Sequence, residues 1–262
     1  MSIIHKGIWL IGGTNDSATI ASVLAESNIP FVVTVATETA RNLYPDMLSI
    51  AGCMDREAML CFCQQHQIVA VVDASHPYAV EVSRQAIAIT TQLNIPYLRY
   101  ERASYSASAD KNDANIIKLD SFEDLLAGNY LTNRRVLLTV GCKALPLFQS
   151  WQDKATLFAR VLPKIASLET AIASGFTSDR LIAIRPPISR EMETALWQQW
   201  QISLVVTKAS GKAGGEDIKR QVAANLGIPL IVITRPQVTY PQQTSDITTV
   251  SDFCRRSLNL LF

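Results

Sequence analysis

The residues best suited to chemistry stand together in one short stretch, VVDASHPYA, which runs from Val71 to Ala79. An apolar run ends there in Asp73, and Ser75, His76 and Tyr78 follow directly. A histidine can exchange a proton near neutral pH, and a tyrosine can donate a hydrogen bond or stack on a flat ligand. A single histidine is more often a packing or capping residue, but these neighbours favour the chemical interpretation. We therefore predict that His76 and Tyr78 are catalytic and that Ser75 contacts a cofactor.

A second candidate site is the glycine turn near the start of the chain, within GIWLIGGTNDS from Gly7 to Ser17. An apolar run is followed by two glycines, which permit positive φ and close backbone approach, and then by an amphipathic stretch. The free N–H groups at the start of a helix can hold a phosphate. The turn departs from the G-x-G-x-x-G fingerprint, and the alternative is a tight strand-to-helix turn without a ligand. The cofactor-binding residues predicted here are Gly12, Gly13, Thr14, Asn15 and Ser17.

Two further residues are candidates for the adenosine end of a dinucleotide. The stretch VATETAR follows the second apolar run and contains Thr37, Glu38 and Arg41. In dinucleotide-binding folds an acid at this point bonds the ribose and favours NAD, whereas an arginine accommodates the extra phosphate of NADP. The sequence offers both, so these residues alone do not choose between the two cofactors. We predict cofactor contacts from Thr37 and Arg41.

Basic residues that follow other strands are candidates for contact with an anionic substrate. The stretch TKASGKAGGED, from Thr207 to Asp217, combines lysines and glycines between a strand and a helix, an arrangement that suits anions. Lysines beside a glycine turn also occur on solvated loops, and arginines at a domain edge often face water. The residues predicted to contact an anionic substrate are Arg84, Arg99, Arg102, Arg190, Lys208, Ser210 and Lys212.

The order of the apolar runs predicts an α/β fold. Short β-rich runs that are apolar throughout alternate with stretches of helical period, both before and after a polar stretch from Ser104 to Asn115. Strands of this kind are buried on both faces of a parallel sheet, and the polar stretch is typical of a crossover between domains. We predict two domains, at residues 1–108 and 109–262, each a mainly parallel sheet flanked by helices.

The composition argues against several classes of protein. The 262 residues carry a formal net charge of +1, with 48% hydrophobic and 18% charged residues, a globular composition that favours no nucleic-acid partner. The apolar runs fall short of the roughly 20 residues that span a bilayer, so no membrane contact is expected. Five cysteines without a repeating spacing resemble neither a disulfide framework nor a metal site. We expect a cytoplasmic protein with reduced thiols and no metal, either a monomer or a homodimer.

Several blocks, taken in order, make the chain resemble a known family. They include LIGGTNDS at Leu10, VVDASHPYA at Val71, IPYLRYER at Ile95 and VVTKASG at Val205. The combination of D-A-S-H-P-[FY]-A, then Y-L-R-[FY]-E-R and a late T-K-x-S-G is specific, and the matching blocks span nearly the whole chain. On these residues the sequence is similar to the precorrin-6A reductase family of cobalamin biosynthesis.

The resemblance implies an oxidoreductase that uses NADPH to reduce a ring double bond of precorrin-6A or cobalt-precorrin-6A. It implies two Rossmann-like domains with the active site in the cleft between them, and a tetrapyrrole substrate that carries many carboxylates. A chain with little net charge must then concentrate its cations locally, as the basic residues named above would do. The late loop departs from the family pattern, because Ala209 and Lys212 stand where relatives usually have an acid and a glycine.

Two other functions stay open at this point. A non-catalytic nucleotide- or tetrapyrrole-binding module would use the same glycine turns only to hold anions. A sugar-nucleotide transferase of the α/β class also has two facing domains, but it offers no reason for a histidine and a tyrosine directly after a strand. Oxidation of NADPH on mixing with precorrin-6A distinguishes the reductase from the binding module.

Overall fold

Alternating strands and helices form two units in the computed structural model, which describes residues 6–102, 115–211 and 214–259. One unit consists of Met1–Arg102 and Gln237–Phe262, and the other of Ala103–Pro236. The predicted domain boundary at residue 108 lies outside the described residues, as does nearly all of the polar stretch that contains it. The end of the chain differs from the predicted domain 109–262, because Gln237–Phe262 returns to the first unit.

The first unit is built on a parallel sheet. Its strands are β1 (Gly7–Ile11), β2 (Phe31–Val35), β3 (Ser49–Ala51), β4 (Ile68–Asp73), β5 (Tyr97–Tyr100) and β12 (Gln243–Thr244). Its helices are α1 (Asn15–Glu26), α2 (Glu38–Arg41), α3 (Arg56–Gln65), α4 (Val80–Leu93) and α9 (Ile247–Ser257). The strand order is β12-β5-β4-β1-β2-β3. The glycine turn follows β1, and residues 75–78, called the histidine turn below, follow the neighbouring strand β4.

Both faces of this sheet are covered, as the apolar strands predict. Along β1, Ile8 and Leu10 pack into one apolar cluster, and Trp9 and Ile11 pack into another on the opposite face. The indole N–H of Trp9 donates to the hydroxyl of Thr34 at 2.7 Å, which satisfies the one polar group of a fully buried side chain. Helices therefore cover both faces, so a ligand can reach the sheet only at the strand ends, and in sheets of this class ligands bind at the carboxyl ends.

The segment Gln237–Phe262 joins the first unit through a strand and a helix. β12 pairs with β5, which places Gln243 opposite Arg99. The carboxylate of Asp246 accepts the N–H of Thr249 at 2.8 Å and so caps α9, which buries Phe253 in the apolar cluster on one face of β1. A two-residue polar strand has no apolar pattern, so the sequence did not predict this return.

The second unit repeats the same architecture. Its strands are β6 (Ile116–Leu119), β7 (Arg135–Thr139), β8 (Thr156–Val161), β9 (Leu181–Ala183), β10 (Leu204–Lys208) and β11 (Leu230–Ile233), in the spatial order β6-β11-β10-β7-β8-β9. Its helices are α5 (Phe122–Ala127), α6 (Ile165–Ala173), α7 (Arg190–Gln199) and α8 (Glu216–Leu226). The predicted α/β class, with two parallel sheets flanked by helices, is confirmed.

Local differences from the predicted elements have local causes. The alternation of strands and helices predicts a helix after β7, but the segment there is a run of 3-10 turns, Cys142–Trp151, and Pro146 within it has no backbone N–H to donate. The edge strand β6 was not predicted, because Lys118 interrupts its short apolar run and its other residues are only partly buried. Neither difference moves the strand ends that carry the candidate residues.

Candidate functional site

The glycine turn connects β1 to α1 at the carboxyl edge of the first sheet. Gly13 is exposed with a φ of +103°, and a Cβ at this position would meet no atom within 4 Å. Thr14 caps α1, since its hydroxyl accepts the Ser17 N–H at 3.0 Å and the Ser17 hydroxyl accepts the Thr14 N–H at 2.9 Å. Within the described residues, the N–H groups of Asn15 and Asp16 have no acceptor. The turn thus presents an open face and two amides at a helix N-terminus, which suits a phosphate.

Tyr44 lies beneath this turn and forms hydrogen bonds with Gly13 and Ser17, two residues predicted to bind the cofactor. Its hydroxyl accepts the Gly13 N–H at 2.7 Å and lies 2.6 Å from the Ser17 hydroxyl oxygen. The side chains of Ser17 and Tyr44 are buried, and a Cβ on Gly12 would collide with the Tyr44 hydroxyl. The structure therefore places Ser17 inside the turn, which differs from the predicted direct cofactor contact. Sequence reasoning missed Tyr44 because it lies 31 positions from Gly13.

The residues predicted for the adenosine end lie where β2 ends. Thr37 precedes α2, in which Arg41 and Glu38 form an ion pair at 3.0 Å with side chains 47% and 76% exposed. β2 pairs with β1, so this ion pair follows the strand beside the glycine turn. An exposed pair of this kind contributes at most about 1 kcal/mol to stability. Arg41 can therefore exchange Glu38 for a ligand phosphate at small cost.

Asp73, fully buried at the end of β4, is held by four donors. Its Oδ1 accepts the Ser75 N–H at 3.0 Å and Nη1 of Arg99 at 2.9 Å. Its Oδ2 accepts the hydroxyl of Ser83 at 2.6 Å and that of Tyr97 at 2.7 Å. Burial and the Asp73 charge both raise the pKa of Tyr97, so its hydroxyl stays protonated and continues to donate. This network fixes the start of the histidine turn to β5 and α4.

His76 and Tyr78 stand on the turn that this network holds. His76 is exposed and Tyr78 is partly buried, with the ring centroids 5.7 Å apart. Nδ1 of His76 accepts the Tyr78 N–H at 3.3 Å, so this ring nitrogen acts as an acceptor within the turn. The hydroxyl of Thr14 donates to the carbonyl of Ala74 at 3.0 Å. The two turns that the sequence singled out are therefore joined at one edge of one sheet.

The arginines predicted for the substrate in the first unit differ in their placement. Arg99 is 1% exposed and belongs to the buried network, which corrects its predicted contact with substrate, because its guanidinium is not presented to a ligand. Nε of Arg102 bonds Asp16 at 2.7 Å and so offsets the negative charge at the start of α1. Arg84 is exposed on α4 and forms no ion pair with any other described residue.

The candidate anion loop of the second unit follows β10. Lys208 ends this strand, and burial lowers the pKa of its ammonium group. The Ser210 N–H donates to the Lys208 carbonyl at 2.7 Å, and the Gly211 N–H donates to the carboxylate of Glu216 at 2.8 Å. Lys212 lies outside the described residues. Lys208 and Ser210 thus stand on a loop that is tied back to the first turn of α8.

Arg190 begins α7, which follows β9 in the chain. Ser189 is its N-cap, and the Ser189 hydroxyl accepts the N–H of Met192 at 3.2 Å. The Arg190 side chain is 57% exposed and lies 3.4 Å from the carboxylate of Glu191. An exposed contact between neighbours is weak, so Arg190 is available to an anionic ligand.

A buried charge cluster near the start of α7 and α8 was not found from the sequence. Its members lie on β8, α7 and α8 and are at most 9% exposed: Arg160, Glu193, Glu216, Lys219 and Arg220. Arg160 pairs with Glu193 at 2.5 Å, and the Lys219 ammonium donates to the Gly214 and Gly215 carbonyls at 2.8 and 3.1 Å. Burial, and next the charge of Arg160, lower the pKa of Lys219 to about 8. Charged residues at helical spacing usually lie on a solvent-exposed face, so the sequence did not predict that these residues are buried together.

Among the described residues, the cysteines are free thiols and no group of side chains is suited to hold a metal ion. All five cysteines are free, and burial raises the pKa of Cys63 and of Cys254 to about 12, so both stay protonated. Across residues 6–102, 115–211 and 214–259, no three His, Cys, Asp or Glu side chains are grouped to hold a metal ion. Within the same ranges, no helix is long and apolar enough to cross a membrane.

Two parallel sheets flanked by helices, with a glycine turn and a histidine turn on neighbouring strands of the first, define a protein of the Rossmann-like α/β class. The family described as precorrin-6x reductase CbiJ/CobK matches residues 7–255. The chain belongs to this family and is an oxidoreductase.

Individual relatives agree with this assignment. The chain is 44% identical to a cobalt-precorrin-6A reductase of Synechocystis over 96% of its own length and 97% of the relative's. It is 33% identical to a cobalt-precorrin-6A reductase of Priestia megaterium, over 89% of the chain and 92% of the relative. The solved structure of CobK precorrin-6A reductase has the same fold, with a TM-score of 0.79 at 22% identity, covering 97% of this chain and 98% of that one.

Proposed function

We propose that this chain uses NADPH to reduce a ring double bond of precorrin-6A or, as the names of the more similar relatives favour, of cobalt-precorrin-6A. One observation of the structure supports this proposal above the others. The Thr14 hydroxyl bonds the Ala74 carbonyl, and so joins a turn suited to a nucleotide phosphate to a turn that carries His76 and Tyr78. A reductase needs cofactor and proton donor in one place, and this bond brings their candidate residues together.

The described residues at the edge of the first sheet fit a dinucleotide. Gly13 leaves an open face, and the N–H groups of Asn15 and Asp16 point from the start of a helix. Arg102 offsets the charge of Asp16, so an incoming phosphate does not meet an unpaired carboxylate. Arg41 supports NADPH over NADH, because a guanidinium group can bond the additional phosphate.

When bound, the reduced nicotinamide supplies a hydride to one atom of the ring double bond, and a proton added to the other completes the reduction and leaves the oxidised nucleotide. We place the proton donor at the histidine turn, either the Tyr78 hydroxyl or the His76 ring in its imidazolium form, with the proton replaced from water. The network around Asp73 fixes the backbone at Ser75, from which the turn that carries both side chains begins.

The substrate would be recognised by its carboxylates. Arg84 of the first unit and Arg190 of the second are exposed cations, and Lys208 and Ser210 stand on the loop after β10. Burial lowers the pKa of Lys208, and a carboxylate placed beside it would favour its charged form again. Lys212 belongs to the same proposed set through its place in the sequence.

The test is anaerobic turnover with each of the two macrocycles. We expect NADPH oxidation together with a spectral change of the macrocycle, faster with cobalt-precorrin-6A than with precorrin-6A. NADPH and macrocycle that both bind without oxidation of the nucleotide would instead identify a binding module. A His76→Gln and Tyr78→Phe pair of variants then assigns the proton donor, since only loss of the donor lowers turnover while NADPH affinity is kept.

A further inference from the structure

The buried hydroxyl of Tyr44 organises the glycine turn, although it lies far from the turn in sequence. Tyr44 stands between β2 and β3, with its ring in the apolar cluster on one face of β1 and 2% of the residue exposed. Its hydroxyl is 2.7 Å from the Gly13 nitrogen and 2.6 Å from the Ser17 hydroxyl oxygen. A tyrosine that is buried to this degree usually has its hydroxyl bonded, and here both partners belong to the turn.

The donors and acceptors around Tyr44 form an ordered chain. The Gly13 N–H donates to Tyr44, and the Ser17 hydroxyl donates to the Thr14 carbonyl at 2.7 Å. Because the single Ser17 proton is used there, the Tyr44 hydroxyl donates to Ser17. The Thr14 hydroxyl in turn donates to the Ala74 carbonyl. Four linked residues thus connect the glycine turn to the end of β4, and bonds in such a chain strengthen one another.

Tyr44 also explains why two glycines stand side by side. A Cβ at Gly12 would collide with the Tyr44 hydroxyl and lie 2.9 Å from Cγ1 of Val33, so this glycine is needed for packing beneath the turn. A Cβ at Gly13 would meet nothing within 4 Å, so this glycine borders the open face. In the G-x-G-x-x-G pattern a glycine instead lets the backbone approach the pyrophosphate closely.

We infer that Tyr44 is a positioning residue of the cofactor site. Through its hydroxyl it sets the orientation of the Gly12–Gly13 peptide and of Ser17, which directs the N–H groups of Asn15 and Asp16, which have no acceptor among the described residues, to the cofactor pyrophosphate. The phosphate itself touches neither Tyr44 nor Ser17, because both are buried. This inference rests on the proposed function, since it requires that the turn bind a nucleotide.

The test compares the variant Tyr44→Phe with the wild-type chain and with a matched control. Tyr44→Phe keeps the ring and removes the hydroxyl, so the Gly13 N–H loses its acceptor; we expect the Kd for NADPH to rise about 5- to 30-fold. The control is Tyr130→Phe, at a partly buried tyrosine of the second unit, which should leave this Kd unchanged. Affinity is measured by titrating the protein with NADPH and following nucleotide fluorescence, without any macrocycle present.

A second measurement reports on the turn itself. The chain contains 11 glycines, so glycine-selective ¹⁵N labelling gives a spectrum simple enough to follow the Gly13 amide. We expect faster hydrogen exchange of this amide in Tyr44→Phe without nucleotide, and a sub-additive effect on the Kd when Tyr44→Phe is combined with Ser17→Ala, since both variants remove the same bond.

The outcomes separate the two proposals. A wild-type chain that binds no NADPH would overturn the proposed function. Wild type and Tyr44→Phe with equal Kd values, whether or not the Gly13 amide exchanges faster, would overturn the role of Tyr44 while leaving the proposed function in place. Should Tyr44→Phe fail to fold, Ser17→Ala serves in its place, and an unchanged Kd in that variant counts against the ordered chain.

Discussion

The hydroxyl of Thr14 donates a hydrogen bond of 3.0 Å to the carbonyl of Ala74, across 60 positions of sequence. Thr14 is the cap of α1, and Ala74 lies between Asp73 and the histidine turn. The same side chain therefore ends one strand-to-helix turn and holds the neighbouring one. A change at Thr14 is expected to affect both the stability of α1 and the position of His76.

Replacement of Thr14 by alanine removes the cap and the bond between the two turns. We expect the free energy of unfolding to fall by about 1 to 2 kcal/mol. Thr14→Ser keeps the hydroxyl and should remain within about 0.5 kcal/mol of the wild type. Urea denaturation measures both variants, and anaerobic turnover should fall in Thr14→Ala alone. Equal losses in the two variants would show that the methyl group, and not the hydroxyl, is what the turns require.

The open face above Gly13 can be tested with a single methyl group. Gly13→Ala introduces a Cβ with no atom within 4 Å other than those of its chain neighbours, so its cost to folding comes from the positive φ and is about 1 to 2 kcal/mol. Gly227→Ala is the matched control, because Gly227 also has a positive φ and open space at its Cβ but ends α8 in the second unit. We expect only Gly13→Ala to weaken NADPH binding, by roughly tenfold or more. A similar Kd in the two variants would place the phosphate elsewhere.

Local patterns predicted the elements around the site well. The apolar run, the two glycines and the amphipathic stretch after them predicted a strand-to-helix turn, and α1 begins at Asn15 directly after its N-cap Thr14. The runs that are apolar throughout predicted parallel strands buried on both faces, and β4 pairs in parallel with β1 on one side and with β5 on the other. These features depend only on residues that are close together in the sequence, so one sequence is enough to predict them.

The partners of buried polar groups could not be predicted in this way. Arg99 was taken for a substrate contact, yet it pairs with Asp73 of the adjacent strand. One signal was present: an arginine inside the apolar strand YLRY needs a buried acid, and Asp73 ends another apolar strand. Tyr44 had no such signal, because its bond to Gly13 depends on how the segment between β2 and β3 packs. Tertiary packing decides these pairs, and spacing in sequence does not record it.

The Asp73–Arg99 pair predicts a large effect on stability from one substitution. Burial by itself disfavours the Arg99 cation, but the charge of Asp73 and its other neighbours raises the pKa of Arg99 overall, so the guanidinium group remains charged. Arg99→Met leaves the carboxylate buried without its cation, and we expect a loss of about 3 to 5 kcal/mol in the free energy of unfolding.

Two controls accompany the Arg99→Met measurement. Arg84→Met, at an exposed arginine on α4, should stay within about 0.5 kcal/mol of the wild type in the same urea denaturation. The double variant Asp73→Asn with Arg99→Met removes both charges and should regain part of the loss. A loss in Arg99→Met no greater than that in Arg84→Met would mean that Asp73 is stabilised by its hydroxyl and amide donors alone.

Lys219 predicts a pH dependence in the second unit. Its pKa is about 8 in the folded chain, against 10.5 for an ordinary lysine, because burial disfavours the cation. Between these two values the unfolded chain binds the proton and the folded chain does not, so this group makes the free energy of unfolding rise with pH. The rise is on the order of 3 kcal/mol across the window.

Lys219→Met lacks this rise, so the stability difference between wild type and variant should grow from about pH 8 to 10.5 in favour of the wild type. Lys118→Met, at an exposed lysine of β6, serves as the control and should show no such trend in urea denaturation. Parallel curves for wild type and Lys219→Met would mean that the amine titrates alike in the folded and unfolded chains.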